Sequence, residues 1–310
     1  FKIRTSGVKK KVRGEENTLK TTNLQTAKHK YKLFPPFRRF REMLKRLKVF
    51  NLTFVGSIRY FFFTIPVNLK ELVAIKIIDK YQMKAGKSEI RVMDHLRQLD
   101  PDKNNLVRFN EHFRYKRSHC LSFEILDISL FDYIAGRRCK SLTLMEIRVI
   151  TQQMLVALDA LKSIGLVHGD IKPDNIMLVD RSSLNVKLID FGLAFQTSQI
   201  KKGWLVQNPS YRAFEVMLGL SFNEGIDMWS LGCVLGFLHI DNDLLKVEDV
   251  QSFIDLLKKM FELDPQKRIS PAEALGHNFI TMKHLSGNPD NSSLLVFPRG
   301  TLVSSRSPTK

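Results

Sequence analysis

Apolar residues follow two patterns along the middle of the chain, and each pattern predicts a type of element. The segment 87–99 places apolar side chains at helical spacing, namely Ile90, Val92, Met93, Leu96 and Leu99. This spacing predicts an amphipathic helix. Three short apolar runs, at 60–67, 119–126 and 185–190, have the length of buried strands. None approaches the roughly 18 apolar residues of a membrane-spanning helix.

Both ends of the chain lack such a period. Residues 1–32 are polar and predict a disordered arm, and residues 286–310, rich in Ser, Pro, Gly and Asn, predict a mobile tail. Between Arg and Lys residues, the segment 37–50 carries apolar side chains at helical spacing, namely Phe37, Phe40, Leu44 and Leu47. Three interpretations of this segment stay open: a helix docking on an acidic partner or membrane surface, a helix packed against the adjoining domain, and the run into the first strand of that domain.

Positive charge is concentrated at the amino end. The chain has 49 Lys and Arg against 31 Asp and Glu, a formal net charge of +18. Residues 1–48 carry sixteen Lys and Arg and three Glu, so +13 of that charge lies in the arm. The run KKKVR at 9–13 is compatible with a nuclear-localisation signal, a nucleic-acid contact or a solvated basic tail.

Length and cysteine content limit the class of protein. The 310 residues suit one large domain with flanks, long enough to bury a sizeable core. Cys120, Cys139 and Cys233 lie far apart without a C-x-x-C pair. That spacing favours a reducing compartment and argues against disulfides and a zinc site. Because the first residue is Phe1, we expect a fragment of a longer protein.

The strongest chemical signal is the motif HGDIKPDN at 168–175. Asp170 can accept the proton of an attacking hydroxyl, and Lys172 can reach a transferring phosphate. Asn175 and Asp190 are hard oxygen ligands of the kind that Mg²⁺ takes when it bridges nucleotide phosphates. These residues together predict phosphoryl transfer. The competing interpretation is a polar loop beside a buried strand.

The spacing H-x-D-x-K-P-x-N followed by D-F-G resembles the protein kinases. This resemblance implies that VAIK, at 73–76, lies on a strand and that Lys76 contacts the α- and β-phosphates of ATP. It also implies that Glu89, on the following helix, is the carboxylate partner of Lys76. Either charge alone is compatible with an ordinary surface residue.

The same resemblance implies an adenine site. Phe123 stands at the gatekeeper position, where an apolar strand reaches the hinge between two lobes. The backbones of Glu124 and Leu126 would bind the adenine edge. Ala74 would lie above the ring and Met177 beneath it. A plain core strand with ordinary packing is compatible with the same residues.

Downstream residues match kinase positions that support the fold. Asp227, in DMWSLGCV, is expected to brace the catalytic loop from a buried helix. Phe214 replaces the Pro of the A-P-E block. Arg268 is expected to pair with Glu215 of that block, and such a buried pair is costly to break.

Three longer strings, at 174–180, 211–234 and 253–285, are similar to the homeodomain-interacting protein kinases. That family belongs with the dual-specificity tyrosine-regulated and cyclin-dependent kinases. The resemblance implies phosphorylation of Ser or Thr in protein substrates, usually before Pro, with Mg-ATP. It also implies action in the nucleus on transcriptional regulators.

The phosphate loop departs from that family. In FVGSIRYF, at 54–61, Gly56 is retained, while Phe54 and Arg59 occupy the other two glycine positions. Glycines let backbone N–H groups approach the phosphates without a Cβ in the way. The loss of two of them should weaken the cradle for ATP, although Arg59 could contact a phosphate directly.

Two further departures concern regulation and the substrate groove. Gly169 stands where most kinases have the Arg that binds an activation-loop phosphate, an Arg that the resembled family also lacks. Leu205 takes the place of the activating Tyr of that family. That route of activation is therefore expected to be lost. Only eighteen residues, 235–252, replace a substrate-docking helix and a long insert. The floor of the groove for a protein substrate is expected to be incomplete.

We therefore predict a two-lobed α+β kinase fold over residues 50–285, with ATP bound between the lobes. The small lobe, 50–125, would hold a mainly antiparallel sheet, and the large lobe, 127–285, would be mostly helical. The predicted function is Ser/Thr protein phosphorylation with ATP and Mg²⁺, in the nucleus or cytoplasm. A rival is a pseudokinase-like binding scaffold, favoured by the lost glycines and the short large lobe. A third hypothesis makes the basic arm, 1–48, a nucleic-acid-binding module.

Overall fold

The computed structural model describes much of the chain between residues 52 and 285, in the segments 52–54, 61–67, 71–78, 83–115, 118–137, 142–239 and 247–285. All of these residues belong to the second of the two units into which the chain divides, Val49–Lys310. The predicted arm (1–48), the helix at 37–50 and the tail (286–310) lie outside the described residues. So do Gly56 and Arg59 of the phosphate loop, and Cys139.

The amino-terminal part of the described chain forms one antiparallel sheet of five strands. In chain order these are β1 (Leu52–Phe54), β2 (Phe61–Val67), β3 (Glu71–Ile78), β4 (Phe109–Tyr115) and β5 (Ser118–Phe123). Their order in the sheet is β1-β2-β3-β5-β4. The predicted small lobe, with a mainly antiparallel sheet, is thereby confirmed.

One helix, α1 (Met83–Leu96), follows β3 and packs on β5. Its apolar face buries Val92 and Met93 in the main core. The sequence predicted a helix over 87–99; the observed helix begins four residues earlier and stops three residues earlier. Residues 97–99 continue in turns whose N–H groups bond to carbonyls three residues back rather than four, and Pro101 then restricts Asp100 to extended backbone.

The large lobe begins with β6 (Ile128–Ser129), α2 (Leu130–Gly136) and α3 (Leu144–Ser163). A capping box starts α3: the Thr143 hydroxyl accepts from the Glu146 amide, and the Glu146 carboxylate accepts from the Thr143 amide. One face of this 20-residue helix is buried against the core. None of the helices in the described part of the chain combines the length and apolarity needed to span a bilayer.

Four short strands after α3 position the motif residues. They are β7 (Leu166–Val167), β8 (Ile176–Leu178), β9 (Val186–Leu188) and β10 (Phe195–Gln196). Strands β6, β8 and β9 form one antiparallel sheet, and β7 pairs with β10. The strand predicted over 185–190 is confined to β9, which leaves Asp190 just beyond its end.

The rest of the large lobe is helical, with α4 (Phe214–Met217), α5 (Gly225–Leu238), α6 (Val247–Met260), α7 (Pro271–Leu275) and α8 (Asn278–Thr281). Helix α5 is apolar on nearly every side and is buried, as expected of a helix at the centre of a lobe. The predicted helical large lobe is confirmed.

Helices α5 and α6 are joined by only eight residues, 239–246. The stretch 235–252, in which the resembled family fits a docking helix and an insert, is occupied here by the end of α5, this connection and the start of α6. The two helices pack closely at Gly232. A Cβ there would lie 3.0 Å from the Phe261 ring and 3.3 Å from Met260.

The predicted pair between Arg268 and Glu215 is present and fully buried. The guanidinium donates to both carboxylate oxygens, at 2.7 and 2.9 Å, and to the carbonyl of Gly225 at 3.0 Å. It also lies over the Trp229 ring, 5.2 Å from the centroid. The pair therefore ties the loop before α7 to α4 and to the start of α5.

We expect Arg268→Ala to lower the free energy of unfolding by about 3–5 kcal/mol, because it leaves the Glu215 carboxylate buried and unpaired. Urea unfolding measures this. The matched control is Lys267→Ala, whose side chain is 77% exposed and pairs with Asp264 at 3.7 Å; its loss should stay below about 1 kcal/mol. Equal effects of the two variants would contradict the structural role of the pair.

Buried His119 on β5 makes stability depend on pH. Within the described residues neither ring nitrogen has a hydrogen-bond partner. Burial, followed by the charges of Arg114, Lys87 and His112, lowers the pKa of His119. The unfolded chain therefore binds a proton more readily than the folded chain, so this contribution is present above the unfolded pKa and is lost as pH falls.

We expect the free energy of unfolding to decrease between about pH 7 and pH 5.5 in the native chain, since the unfolded pKa of His is about 6.5. In His119→Gln the slope over this range should be smaller. Urea titrations at several pH values measure both slopes. Identical slopes would show that His119 does not contribute.

Candidate active site

One buried carboxylate anchors the predicted catalytic loop, residues 168–175, through hydrogen bonds. Asp227, in the first turn of α5, accepts the backbone N–H of His168 at 2.7 Å and that of Gly169 at 2.9 Å. Burial raises the pKa of Asp227, and the positive potential of His168 and the two amides offsets part of that rise. The bracing role predicted for Asp227 is thus seen in the hydrogen bonds.

Both the backbone conformation at Gly169 and the small space around it favour glycine at this position. Its φ is +72°, in the left-handed region. A Cβ would lie 3.1 Å from the Phe195 ring and 3.2 Å from the carbonyl oxygen of Leu193. In this chain the position usually taken by Arg could not accept a larger side chain without a shift of the loop.

The loop brings Asp170, Lys172 and Asn175 into one cluster. Asp170 Oδ2 accepts from Lys172 Nζ at 2.7 Å and from Asn175 Nδ2 at 2.8 Å. The Asn175 amide group also donates to the carbonyl of Asp170 at 2.8 Å. Within the described part of the chain Asp170 Oδ1 has no partner. One carboxylate oxygen is therefore fixed by its neighbours while the other stays available to accept a proton.

Asp190 sits in a strained backbone position at the end of the run after β9. Its φ is +61°, which is uncommon for a residue with a Cβ and is found at functional sites. Its carboxylate accepts from Lys76 Nζ at 2.9 Å and from the Gly192 amide at 3.2 Å. Burial opposes ionisation, but the Lys76 ammonium holds the pKa of Asp190 below its usual value.

The aromatic residue after Asp190 fixes this geometry. Phe191 is buried, and its ring meets that of His168 edge-on at a centroid distance of 4.9 Å. The His168 ring is in turn bonded to the carbonyl of Ile189 at 3.0 Å. The catalytic loop and the segment carrying Asp190 therefore pack as one unit.

Lys76 and Glu89 form a direct ion pair, as the sequence predicted. Lys76 on β3 is 2% exposed and Glu89 on α1 is 3% exposed. Burial raises the pKa of the Glu89 carboxyl, although the Lys76 charge opposes this rise. Since Lys76 also contacts Asp190, one ammonium joins β3, α1 and the end of the β9 segment.

The apolar residues predicted to line the adenine site lie in or against the main core. Ala74 on β3 pairs in register with Phe123 on β5, and Phe123 is buried against Phe109. After Phe123 the chain leaves the sheet. Among the described residues, the carbonyl of Glu124 and both backbone groups of Leu126 have no hydrogen-bond partner, so they are available to a ligand. Met177 on β8 packs against the core below.

The donor set fits Mg²⁺ bound together with a nucleotide. Asn175 and Asp190 offer oxygen atoms, which Mg²⁺ prefers, but Mg²⁺ takes six ligands and completes its shell with water and substrate phosphates. The described residues contain no group of three or more His, Cys, Asp or Glu side chains that could hold a metal ion by themselves. A phosphate ligand would therefore be needed.

The segment between Asp190 and α4 is held in place by hydrogen bonds of Gln207. The Gln207 side chain donates to the carbonyl of Ile226 at 2.8 Å and to Ser230 Oγ at 2.7 Å, and it accepts from the Ala213 amide at 2.9 Å. Leu205, which stands in place of an activating Tyr, is 64% exposed.

The sequence interpretation missed two contributions. The hydrogen bonds of Gln207 leave no local pattern in the sequence, because two of its partners lie 19 and 23 residues away. Lys187, on β9, is buried and binds the carboxylates of Glu124 and Asp102; the available signal was a charge in the middle of the apolar run at 185–190.

Comparison with known proteins shows which fold and which family the chain belongs to. The two lobes are similar to those of a kinase domain solved by crystallography, with a TM-score of 0.66 and 23% identity, over 75% of this chain and 94% of the other. The sequence matches the family model of the protein kinase domain over residues 64–280. The chain belongs to the protein kinase family.

Its curated relatives include homeodomain-interacting protein kinases and a dual-specificity kinase. Identity is 32% with homeodomain-interacting protein kinase 1 of Mus musculus, over 72% of this chain and 26% of the relative. Identity is 42% with homeodomain-interacting protein kinase 4 of Mus musculus, over 55% of this chain and 29% of the relative. Identity is 33% with dual specificity tyrosine-phosphorylation-regulated kinase mbk-2 of Caenorhabditis elegans, over 76% of this chain and 28% of the relative. The chain thus spans little more than a quarter of the length of these relatives.

We expect Asp227→Ala to lower the free energy of unfolding by about 2–5 kcal/mol, because two buried amide donors lose their acceptor. Urea unfolding tests this. Glu224→Ala, next to the start of the same helix, removes a half-exposed pair with Lys162 at 3.2 Å and should have an effect below about 1 kcal/mol. A loss in Asp227→Ala no larger than in the control would contradict the bracing role.

Proposed function

We propose that this protein is an ATP-dependent Ser/Thr protein kinase that transfers the γ-phosphoryl group of Mg-ATP to protein hydroxyls. The observation that carries the proposal is the Asp170 carboxylate, with Oδ2 fixed by Lys172 and Asn175 and Oδ1 without a partner among the described residues. Membership of the protein kinase family supports the same reaction.

The roles of the residues follow from their positions. Asp170 Oδ1 would accept the proton of the substrate hydroxyl while orienting its oxygen for attack. Lys172 Nζ, already 2.7 Å from Asp170, would neutralise charge on the transferring phosphoryl group. Lys76 would bind the α- and β-phosphates, with Glu89 keeping its ammonium in place.

Asn175 and Asp190 would hold Mg²⁺, which would screen charge between the β- and γ-phosphates. The backbone groups of Glu124 and Leu126 that have no partner among the described residues would bind the adenine edge, with Phe123, Ala74 and Met177 supplying its apolar walls. Because this reaction depends on positioning and electrostatics, a preorganised cluster of this kind favours catalysis.

A preference for Pro after the phosphorylated residue is supported by Arg212. Its guanidinium donates to the carbonyls of Val206 at 2.8 Å and Gln207 at 2.9 Å. These carbonyls are therefore engaged and offer little to the N–H of a bound peptide. A proline has no N–H and loses no hydrogen bond in such an environment.

The similarity to homeodomain-interacting protein kinases supports a nuclear role with transcriptional regulators as substrates. The rival function is a binding scaffold with the kinase fold. The eight-residue connection between α5 and α6 favours that rival, because it removes surface on which a protein substrate could dock.

The deciding experiment compares the native chain with Asp170→Asn. We expect Mg-ATP to raise the melting temperature of both proteins, since a ligand that binds only the folded state stabilises it. We expect transfer of radioactive phosphate to a Ser-Pro peptide to fall by about 10²–10⁴-fold in the variant, the usual contribution of a general base. The matched control is Asp180→Asn, in a turn of the same lobe, where the carboxylate accepts from the hydroxyls of Ser182 and Ser183.

The outcome separates the two functions. Transfer that depends on Asp170 but not on Asp180 supports the kinase. Stabilisation by Mg-ATP without transfer, or neither effect, favours the scaffold. A Ser-Ala peptide phosphorylated as well as the Ser-Pro peptide would remove the preference for Pro.

A further inference from the structure

A single buried lysine joins three segments, one of which is the hinge predicted to bind adenine. Lys187, on β9, is 6% exposed. Its ammonium donates to Glu124 Oε1 at 2.6 Å and to Asp102 Oδ1 at 2.7 Å. Glu124 belongs to the hinge between the lobes, and Asp102 belongs to the loop after α1. We call these three residues, with Arg108, the hinge cluster.

Arg108 closes the hinge cluster from the side of the loop. Its guanidinium pairs with the Asp102 carboxylate. Its backbone N–H donates to Glu124 Oε1 at 2.6 Å, and its carbonyl accepts from the Glu124 amide at 3.1 Å. The Glu124 side chain is thereby held by two donors from two segments, and its backbone is held by a third bond.

The hinge cluster lies beside the residues assigned to ATP. Lys187 is directly opposite Met177 in the β8–β9 pair, so both side chains lie on the same face of the sheet. Three residues further along the chain stands Asp190. The partner of Lys187 in the hinge, Glu124, carries one of the backbone carbonyls that is free to bind adenine.

The positive charge of Lys187 holds the two carboxylates of the hinge cluster together. Two carboxylates approach within hydrogen-bond distance of one ammonium, and in its absence they would repel one another. The bond from Lys187 is also the first cause of the lowered pKa of Asp102. Glu124 would then be held through Arg108 alone, and the hinge backbone would gain freedom.

We infer that Lys187 is a positioning residue for nucleotide binding, which acts through the Glu124 carboxylate to fix the hinge backbone of Glu124 and Leu126 against the adenine edge. This inference rests on the proposed ATP-dependent function. It assigns to Lys187 an effect on ATP affinity rather than on the chemical step, because the ammonium contacts neither Asp170 nor its neighbours.

The test is a set of steady-state measurements on Lys187→Met, which keeps the length of the side chain and removes its charge. We expect the KM for ATP and the Kd for a fluorescent ATP analogue to rise about tenfold, equivalent to about 1.4 kcal/mol. We expect kcat to remain within about threefold, since uniform binding has been lost without loss of transition-state contacts. Lys187→Arg, which retains a donor for both carboxylates, should restore most of the affinity.

The matched control is Lys103→Met, in the same loop as Asp102 but with its side chain 83% exposed; its KM for ATP should equal that of the native chain. In a double-mutant cycle, Glu124→Gln should raise KM alone, and adding it to Lys187→Met should change KM little further, because both act through one contact. If Lys187→Met does not fold, Glu124→Gln and Lys187→Arg provide the same comparison.

Several results would overturn the inference. One is an unchanged KM and Kd in a folded Lys187→Met; another is a fall in kcat with KM unchanged; a third is additive effects in the cycle. If the native chain itself binds no nucleotide, the proposed function fails with it, whereas a native chain that binds ATP and is indifferent to Lys187 refutes this inference alone.

Discussion

The contact on which the rest of the site depends is the Asp227 carboxylate with the amides of His168 and Gly169. A buried charge at the start of α5 receives two backbone donors from the loop that carries Asp170. The loop is thus attached to the most deeply buried helix of the large lobe rather than to the surface. The His168 ring on this loop meets Phe191 edge-on, next to the left-handed turn at Asp190.

A second constraint joins the lobes. Lys76 contacts Glu89 and Asp190 together, so β3, α1 and the end of the β9 segment share one positive charge. The hinge cluster makes a comparable link, in which Lys187 lies between the carboxylates of Glu124 and Asp102. The predicted phosphate end and the predicted adenine end of the proposed nucleotide site each lie beside a buried lysine held between two carboxylates.

The fold and the reacting groups could be predicted from the sequence because both leave local patterns. Asp170, Lys172 and Asn175 lie within six residues of each other, and α1 has a clear helical period. The hinge cluster left no such pattern, because Lys187 is 63 residues from Glu124 and 85 from Asp102. Nor did the sequence reveal that a Cβ at Gly169 would meet Phe195. The predicted end of α1 was wrong because residues 97–99 form tighter turns, with hydrogen bonds three residues back, instead of continuing the helix.

The short connection between α5 and α6 lowers the entropic cost of folding the large lobe. Loop-closure entropy grows with the logarithm of loop length, by about 0.6 kcal/mol for each doubling. A chain that passes from one helix to the next in eight residues therefore brings these helices together with a small entropic penalty, and their contacts are local in sequence. Local contacts also favour rapid folding. The large lobe can therefore assemble readily around its central helix.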